Sequence, residues 1–459
     1  MIRIFGHYVD GRTLRRMGFD ACLVLALILL ELSALGSSAS LMSFAAGASV
    51  LSFATGVTAI NSLSGLYSRA DILSLRQLVQ RALLALALAL PLAFVLIQFV
   101  PVGQDPLLMQ SLAAVGAVAV VARRAYKAGH HRNQLPGSRV MIFGSGSAAN
   151  DVAQSLALIS PSSRIVGFYP GPNESGSVIP ETQRLSDRHS LTDTARMLRV
   201  DEIVVALAER RAGSMPLAEL LDCKVSGMKV LDLASFFERA HGQIRIDHAN
   251  AGWLVFGSGF RQGFYRSVLK RAFDILGSLF LIALSLPVML IATVLIRLDS
   301  RGPVLYRQER TGLGGKSFMV AKFRSMFTDA ESDGKPRWAA TNDSRVTRVG
   351  QIIRRLRIDE LPQFFNVLKG DMSLVGPRPE RPFFVEQLAA QIPYFQLRHS
   401  VKPGITGWAQ VRYQYGATVE DARQKLQYDL YYVKNNSLFL DTVILFKTIV
   451  VVLTGQGAR

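Results

Sequence analysis

Cysteine is almost missing from this chain: two residues, Cys22 and Cys223, in 459. They lie in different regions, so neither a disulfide framework nor a cysteine metal site can be drawn. Carboxylates are also in short supply. There are 34 Asp and Glu against 52 Lys and Arg, a formal net charge of +18. Such a deficit points to a polyanionic neighbour: nucleic acid, anionic lipid or a phosphorylated substrate. No small-residue cleavage site closes the first apolar run, which argues against a removable signal peptide. Residues 160–250 hold one tyrosine, Tyr169. The Tyr-x-x-x-Lys pair of an NAD-dependent nucleotide-sugar dehydratase or epimerase therefore does not form there.

Hydrophobic residues are plentiful, at 49% of the chain, and mean hydropathy is +0.25. Four apolar runs occur at 17–36, 41–63, 78–100 and 107–122. A bilayer core needs about 20 apolar residues per helix. Runs of that length favour lipid and phosphate over nucleic acid as the anionic partner. Arg12, Arg15 and Arg16 precede the first run, Arg69 and Arg76 follow the second, and Arg123, Arg124 and Lys127 follow the fourth. The loops at 36–40 and 101–106 carry no Lys or Arg. The positive-inside rule places the N-terminus, the middle loop and everything after 123 in the cytoplasm. Residues 1–126 thus read as a four-helix transmembrane bundle of a multi-pass protein.

Residues 137–250 read as a Rossmann-like parallel-sheet domain. A buried strand at Arg139–Phe143 leads into Gly144-Ser145-Gly146-Ser147-Ala148-Ala149 and a helical pattern through Ile159. Gly144, Gly146 and Ala149 give the G-x-G-x-x-A form of the dinucleotide turn. Further strands are expected at 165–169, 202–206 and 229–231, with helices between them. The acidic residue that would hold a ribose hydroxyl is missing; Phe168-Tyr169-Pro170-Gly171 stands there. A tight strand-to-helix turn kept for the fold alone is the favoured reading, ahead of a working NAD site.

The segment 273–298 carries an apolar run, 279–296, with Ser285-Leu286-Pro287 in its middle. Pro287 removes a helical hydrogen bond and kinks the helix. Lys270 and Arg271 flank one end; Arg297, Arg301, Arg307 and Arg310 flank the other. A spanning helix is basic mainly on one side. Two basic ends predict a re-entrant helix that bends at Pro287 and returns to the cytoplasmic face, with Ser285 satisfying freed carbonyls.

Polar motifs follow densely. Gln308 and Arg310 precede Gly312-Leu313-Gly314-Gly315-Lys316, which lacks the Walker spacing, and then comes Lys322-Phe323-Arg324-Ser325-Met326. Next, Arg354-Arg355-Leu356-Arg357-Ile358-Asp359-Glu360-Leu361-Pro362-Gln363 sets two adjacent carboxylates after three arginines. Pro362 suits a first helical turn and Gly370 a helix end. Free amides and the positive end of the dipole would then keep Asp359 ionised and favour phosphate. Acidic residues in a first turn ordinarily only stabilise a helix, so the pair acquires chemical meaning from its company. Gly376-Pro377-Arg378-Pro379-Glu380 adds a rigid turn presenting one guanidinium, a bidentate phosphate ligand. Arginines, a lysine and a carboxylate pair around a membrane-entering helix point to phosphoryl chemistry at the lipid–water boundary. The final run, 438–453, is short for spanning and reads as lying in the interface, or as a core helix.

As a set, Lys270-Arg271-x-x-Asp274, Lys322 to Met326, Asp359 to Asn366, Gly376 to Glu380 and Pro403-Gly404-Ile405-Thr406-Gly407-Trp408 resemble the bacterial sugar transferases, the monotopic phosphoglycosyl transferases. The likeness covers 265–459, a mainly helical catalytic domain with its re-entrant helix near 273–298. The bundle and Rossmann-like domain in front resemble the family's long form, which starts exopolysaccharide, capsule or O-antigen chains. Leu426-Gln427-Tyr428-Asp429-Leu430-Tyr431-Tyr432 resembles its exopolysaccharide branch. The resemblance implies a transferase of class EC 2.7.8 at the bacterial inner membrane, with its catalytic domain on the cytoplasmic face. Asp359 would attack the sugar-linked phosphate of a UDP-sugar, release UMP and carry the phosphosugar, a hexose in the default family pattern, to undecaprenyl phosphate. Glu360 would hold Mg²⁺. Lys322, Arg324, Arg354 and Arg378 would touch substrate phosphate, and Lys270, Arg271, Ser285 and Pro287 the lipid side. A homo-oligomer and downstream glycosyltransferases complete the expected partners. A non-catalytic scaffold of a polysaccharide export system is the alternative outside enzymes.

Overall fold

A computed structural model of the chain describes residues 2–4, 7–9, 11–34, 44–63, 81–83, 85–91, 138–159, 163–171, 178–207, 215–247, 259–260, 263–328, 345–413, 416 and 418–454. The chain divides into two compact units. One comprises Met1–Ile2 and Tyr8–His241, the other Arg3–His7 and Gly242–Arg459. Strands β1 (Ile2–Ile4) and β2 (His7–Val9) lead in.

In the first unit, helices α1 (Gly11–Ala34) and α2 (Phe44–Leu63) pack on each other. Residues 81–83 and 85–91 of the third apolar run are helical. The fourth run, and the basic loop residues Arg69, Arg76, Arg123, Arg124 and Lys127, lie outside the described residues, so the fourfold bundle stays an expectation. The same unit holds a parallel sheet of β3 (Arg139–Phe143), β4 (Arg164–Tyr169), β5 (Glu202–Val205) and β6 (Lys229–Asp232), in the order β4-β3-β5-β6. Helices α3 (Ser147–Ile159), α4 (Leu191–Met197) and α5 (Leu217–Val225) connect the strands, and α6 (Leu233–His241) follows the last of them. Past Arg139 and Glu202, the central strands β3 and β5 are wholly apolar because both faces are covered. Ile142 and Val204 join a core with Val152 and Phe236, while Met141 and Ile203 join another with Leu191 and Cys223.

The second unit is organised around α7 (Phe264–Asp299), one helix of 36 residues. Among the described residues it is the helix long and apolar enough to cross a membrane. Its helical backbone continues through Pro287, so the expected bend does not end the helix. Ser285 does not serve the carbonyl that Pro287 frees, which belongs to Ala283. Its hydroxyl donates to Leu281 O at 2.6 Å, one turn back.

Both ends of α7 are fastened to the same fold. Near its start, Arg271 donates to Val367 O (2.6 Å) and Leu368 O (2.7 Å), and Asp274 accepts from Ser373 Oγ (3.0 Å) and Leu374 N (3.1 Å). At its end, Asp299 Oδ2 accepts from Val349 N at 3.0 Å. One face packs inward through Met289, Ala292 and Ile296, while Leu276, Phe280, Leu284 and Leu290 are well exposed.

After α7 come the antiparallel hairpin β7 (Leu305–Thr311) and β8 (Ser317–Phe323), α8 (Arg348–Arg355), a 3₁₀ turn (Ile358–Glu360) and α9 (Gln363–Lys369). Then β9 (Ser373–Val375) pairs in parallel with β10 (Gly404–Thr406), with α10 (Pro382–Gln391) and a 3₁₀ stretch (Phe395–Ser400) between them. Helices α11 (Trp408–Arg412), α12 (Val419–Asn435) and α13 (Leu438–Thr454) finish the unit. Thr418 and Asp421 form a reciprocal cap that starts α12. The last apolar run is a core helix on one face: Leu440, Asp441 and Ile444 are buried. Tyr432 donates to Asp441 Oδ1 at 2.7 Å, and Lys270 pairs with Asp441 at 3.0 Å. The interfacial reading of that run therefore gives way, for its first half, to core packing.

Candidate active site

Asp359 and Glu360 sit on the 3₁₀ turn before α9, each 9% exposed. Helix α8 stops at Leu356, and Arg357 turns the chain in the left-handed region, with φ of 59°. A non-glycine residue there signals a backbone held by its surroundings. Ile358 and Leu361, on either side of the pair, pack against the α7 face formed by Met289, Ala292 and Ile296. The carboxylates are thereby fixed beside the apolar helix.

Pro362 is at the cap of α9, and Gly370, with φ of 101°, ends the helix as expected. The dipole argument, however, changes. The amides of Glu360 and Leu361 donate to Arg357 O and Ile358 O within the turn, so they are not free at the pair. Side chains set its electrostatics instead. Glu360 Oε1 lies 2.6 Å from Arg378 Nη2, 3.4 Å from Lys322 Nζ and 3.7 Å from Arg357 Nη1. Among the described residues no ion pair of this length engages Asp359.

The two acids separate accordingly. Burial alone would raise Glu360, but Arg378, then Lys322 and Arg357, hold it well below the usual carboxylate range. Burial, and next the charge of Glu360, push Asp359 up to about 6. Burial also lowers Lys322, against the pull of Glu360. Adjacent acids driven apart by environment mark a division of chemical labour. With both acids ionised, three cations face two anions, so the site keeps a positive excess for an incoming phosphate.

Lys322 is delivered by β8, and Asn366 ties that strand to α9. Its Oδ1 accepts from Ala321 N at 3.0 Å, and its Nδ2 donates to Met319 O at 2.7 Å. Lys322 and Arg378 thus converge on the pair as the sequence suggests, and Arg357 joins them. Its position three residues before Glu360 was the available clue.

Arg324 goes elsewhere. Its guanidinium is buried and donates to Ser300 O (2.7 Å), Ser300 Oγ (3.0 Å) and Arg301 O (3.0 Å). It closes the C-terminal end of α7, where unpaired carbonyls favour a cation. Gly302, at φ of 126°, makes room: a Cβ there would lie 2.1 Å from Arg324 Nη1. Arg354 is half-buried on the last turn of α8 and has no ion pair with Glu360 among the described residues. Arg271 caps the C-terminus of α9 through Val367 and Leu368, and Lys270 is engaged with Asp274 and Asp441. Arg324, Arg271 and Lys270 thus brace the fold around α7 and are directed at protein groups rather than outward to lipid.

In the first unit, Gly144 N donates to Tyr169 O at 2.8 Å, Gly146 O accepts from Ala149 N at 3.1 Å, and Val178 N donates to Ser145 O at 3.0 Å. Ala149 is fully buried in the sheet–helix core. Each named group of this turn is therefore used by the fold.

No set of three His, Cys, Asp or Glu able to enclose a metal occurs among the described residues. The donor chemistry still suits one hard cation. Glu360 is held ionised, and Mg²⁺ characteristically binds one or two carboxylates with substrate phosphates and water completing its shell.

A family model described as bacterial sugar transferase matches residues 265–455. The UDP-N-acetylgalactosamine-undecaprenyl-phosphate N-acetylgalactosaminephosphotransferase of Aeromonas hydrophila is 46% identical over 262 residues, 57% of this chain and 61% of that protein. The undecaprenyl-phosphate glucose phosphotransferase of Komagataeibacter xylinus is 46% identical over 185 residues, 39% of this chain and 35% of that protein. The exopolysaccharide production protein PSS of Rhizobium leguminosarum bv. phaseoli is 45% identical over 199 residues, 41% of this chain and 98% of that protein. The chain spans less than two-thirds of the first two relatives and nearly all of the third.

Proposed function

The chain belongs to the bacterial sugar transferase family, and from that premise we propose that it transfers a sugar 1-phosphate from a UDP-sugar to undecaprenyl phosphate. The observation that carries this reading is the unequal pair beside α7: Glu360 gripped by three cations, Asp359 outside their ion pairs and raised to about 6. A carboxylate of raised pKa is a stronger nucleophile, and at neutral pH it is still ionised.

Asp359 attacks the phosphorus that bears the sugar. The bond from that phosphorus to the bridging oxygen breaks, and UMP leaves with the electron pair. An oxygen of undecaprenyl phosphate then attacks the aspartyl phosphosugar and frees Asp359. Splitting the exchange into two displacements lowers each barrier. Lys322 and Arg378 neutralise phosphate oxygens as charge shifts onto UMP. Mg²⁺ is the expected cofactor, held by Glu360; when bound it neutralises diphosphate charge.

The exposed apolar side of α7 faces lipid, and its two fastened ends stay on one side of the membrane. Cysteines at 268 and 301, both exposed positions, are expected to react together with a reagent confined to the cytoplasm. Labelling of one from each side would establish a crossing helix.

A hexose is the proposed sugar. The Aeromonas relative's name, which specifies N-acetylgalactosamine, makes a 2-acetamido sugar the second reading. Purified protein assayed with a panel of UDP-sugars, undecaprenyl phosphate and Mg²⁺ decides between them, and no UMP from any donor overturns the activity. Since Asp359 reacts as its anion, kcat/KM for UMP release is expected to fall about tenfold per pH unit below about 6 and level off above it. A flat profile between pH 5 and 8 would remove Asp359 as the titrating nucleophile.

A further inference from the structure

Arg378 reaches Glu360 from a segment that has little means of holding itself. Pro377 and Pro379 have no N–H to give. The segment is held through its carbonyls, from three different elements. Gly404 N donates to Pro377 O at 3.0 Å, and Thr311 N to Glu380 O at 2.9 Å. Between these, Arg398 Nη2 donates to Arg378 O at 2.9 Å and Arg310 Nη1 to Pro379 O at 3.2 Å. Four successive carbonyls are thus occupied, two by backbone amides and two by guanidinium groups.

Of the two guanidinium donors, Arg398 is the deeper. Its side chain is 7% exposed, over the Phe395 ring at 5.1 Å. It pairs at 2.8 Å with Asp429 of α12, whose side chain is 3% exposed. A buried ion pair is weak support for stability, since apolar residues of similar size often serve as well. Here the pair has a directional consequence. Asp429 fixes the guanidinium whose other contact is the carbonyl of the very residue that grips Glu360.

We propose that Arg398, held by Asp429, is a positioning residue for Arg378: it fixes the backbone from which the Arg378 guanidinium meets Glu360 and substrate phosphate. It touches neither carboxylate of the pair. The catalytic meaning of this role rests on the transferase reading above; the positioning itself does not. Misplacing a phosphate ligand by about 1 Å costs on the order of 100-fold in rate.

The test uses the full chain with two variants. Arg398→Lys keeps the charge but loses the planar fork. The double variant Arg398→Leu with Asp429→Leu removes both charges together, so no buried ion is stranded. Hydrogen–deuterium exchange is expected to quicken about tenfold or more in both at the amides of Thr311, Gly376 and Gly404, whose hydrogen bonds tie this segment down, with protection retained along α12. UMP release is expected to fall roughly 30- to 100-fold in the parent background and less than about twofold when Arg378→Ala is already present, because one residue acts through the other. Unchanged exchange at Thr311, Gly376 and Gly404, protection lost throughout the unit, or equal losses in both backgrounds would each overturn the proposal. If the parent protein releases no UMP, the transferase reading fails, and the exchange measurement alone decides the positioning role.

Discussion

Asp359→Asn is expected to reduce UMP release by about 10⁴-fold or more, because an amide of the same shape cannot form the phosphosugar ester. Membrane insertion and folding should survive. The carboxyl is buried and its pKa raised to about 6 from 3.8, so its ionisation opposes folding. That opposition is absent below about pH 4, where both states are protonated. It develops between about 4 and 6 and is complete above. The Asn variant should therefore match the parent in acid and be more stable at pH 7, by on the order of 3 kcal/mol. An inactive but more stable variant is the mark of a group kept for chemistry at the expense of the fold. Undiminished turnover, or a trapped adduct on another residue, would remove the nucleophile assignment.

Glu360→Gln should produce the second largest effect, a loss of roughly 10²- to 10³-fold in UMP release. Glu360 does two things at once. It answers the charges of Arg378, Lys322 and Arg357, and it raises Asp359. Without it, three cations face Asp359 alone. Their influence lowers the Asp359 pKa, so the acid limb of the pH profile should move below 6 while the plateau drops. The Mg²⁺ concentration needed for half-maximal rate should rise, since the candidate ligand is gone. A variant with unchanged pH midpoint and unchanged Mg²⁺ dependence would show that Glu360 neither tunes its neighbour nor holds the metal. Half-buried cations losing their partner should also lower stability, by about 1–3 kcal/mol. The opposite stability changes of the two substitutions separate the two acids' roles.

Much of the frame was legible in the linear chain. The four parallel strands were expected within a residue or so of where they occur, because buried strands announce themselves by short apolar runs between glycine and proline. The end of α9 at Gly370 was expected for the same local reason. The clustering of motifs after 303 pointed to Asp359, Glu360, Lys322 and Arg378. The conformation of the acidic turn was less legible. A helix start and a 3₁₀ turn share Pro and acidic residues, and the difference lies in which amides are already used.

The sequence by itself settled the four parallel strands, the long apolar helix α7 and which charged residues gather near 300–380, since periodicity, caps and spacing are local properties of the chain. Only the tertiary structure decided what each cation is for. Lys322 and Arg324 are two residues apart, yet one meets Glu360 and the other closes the end of α7. Arg271 was expected at the membrane and instead caps α9. Arg398 attracted no notice in the sequence and holds the backbone of Arg378. A guanidinium looks the same wherever it occurs in a sequence. Its role is fixed by the carbonyl or carboxylate that folding brings within 3 Å, often from a hundred residues away.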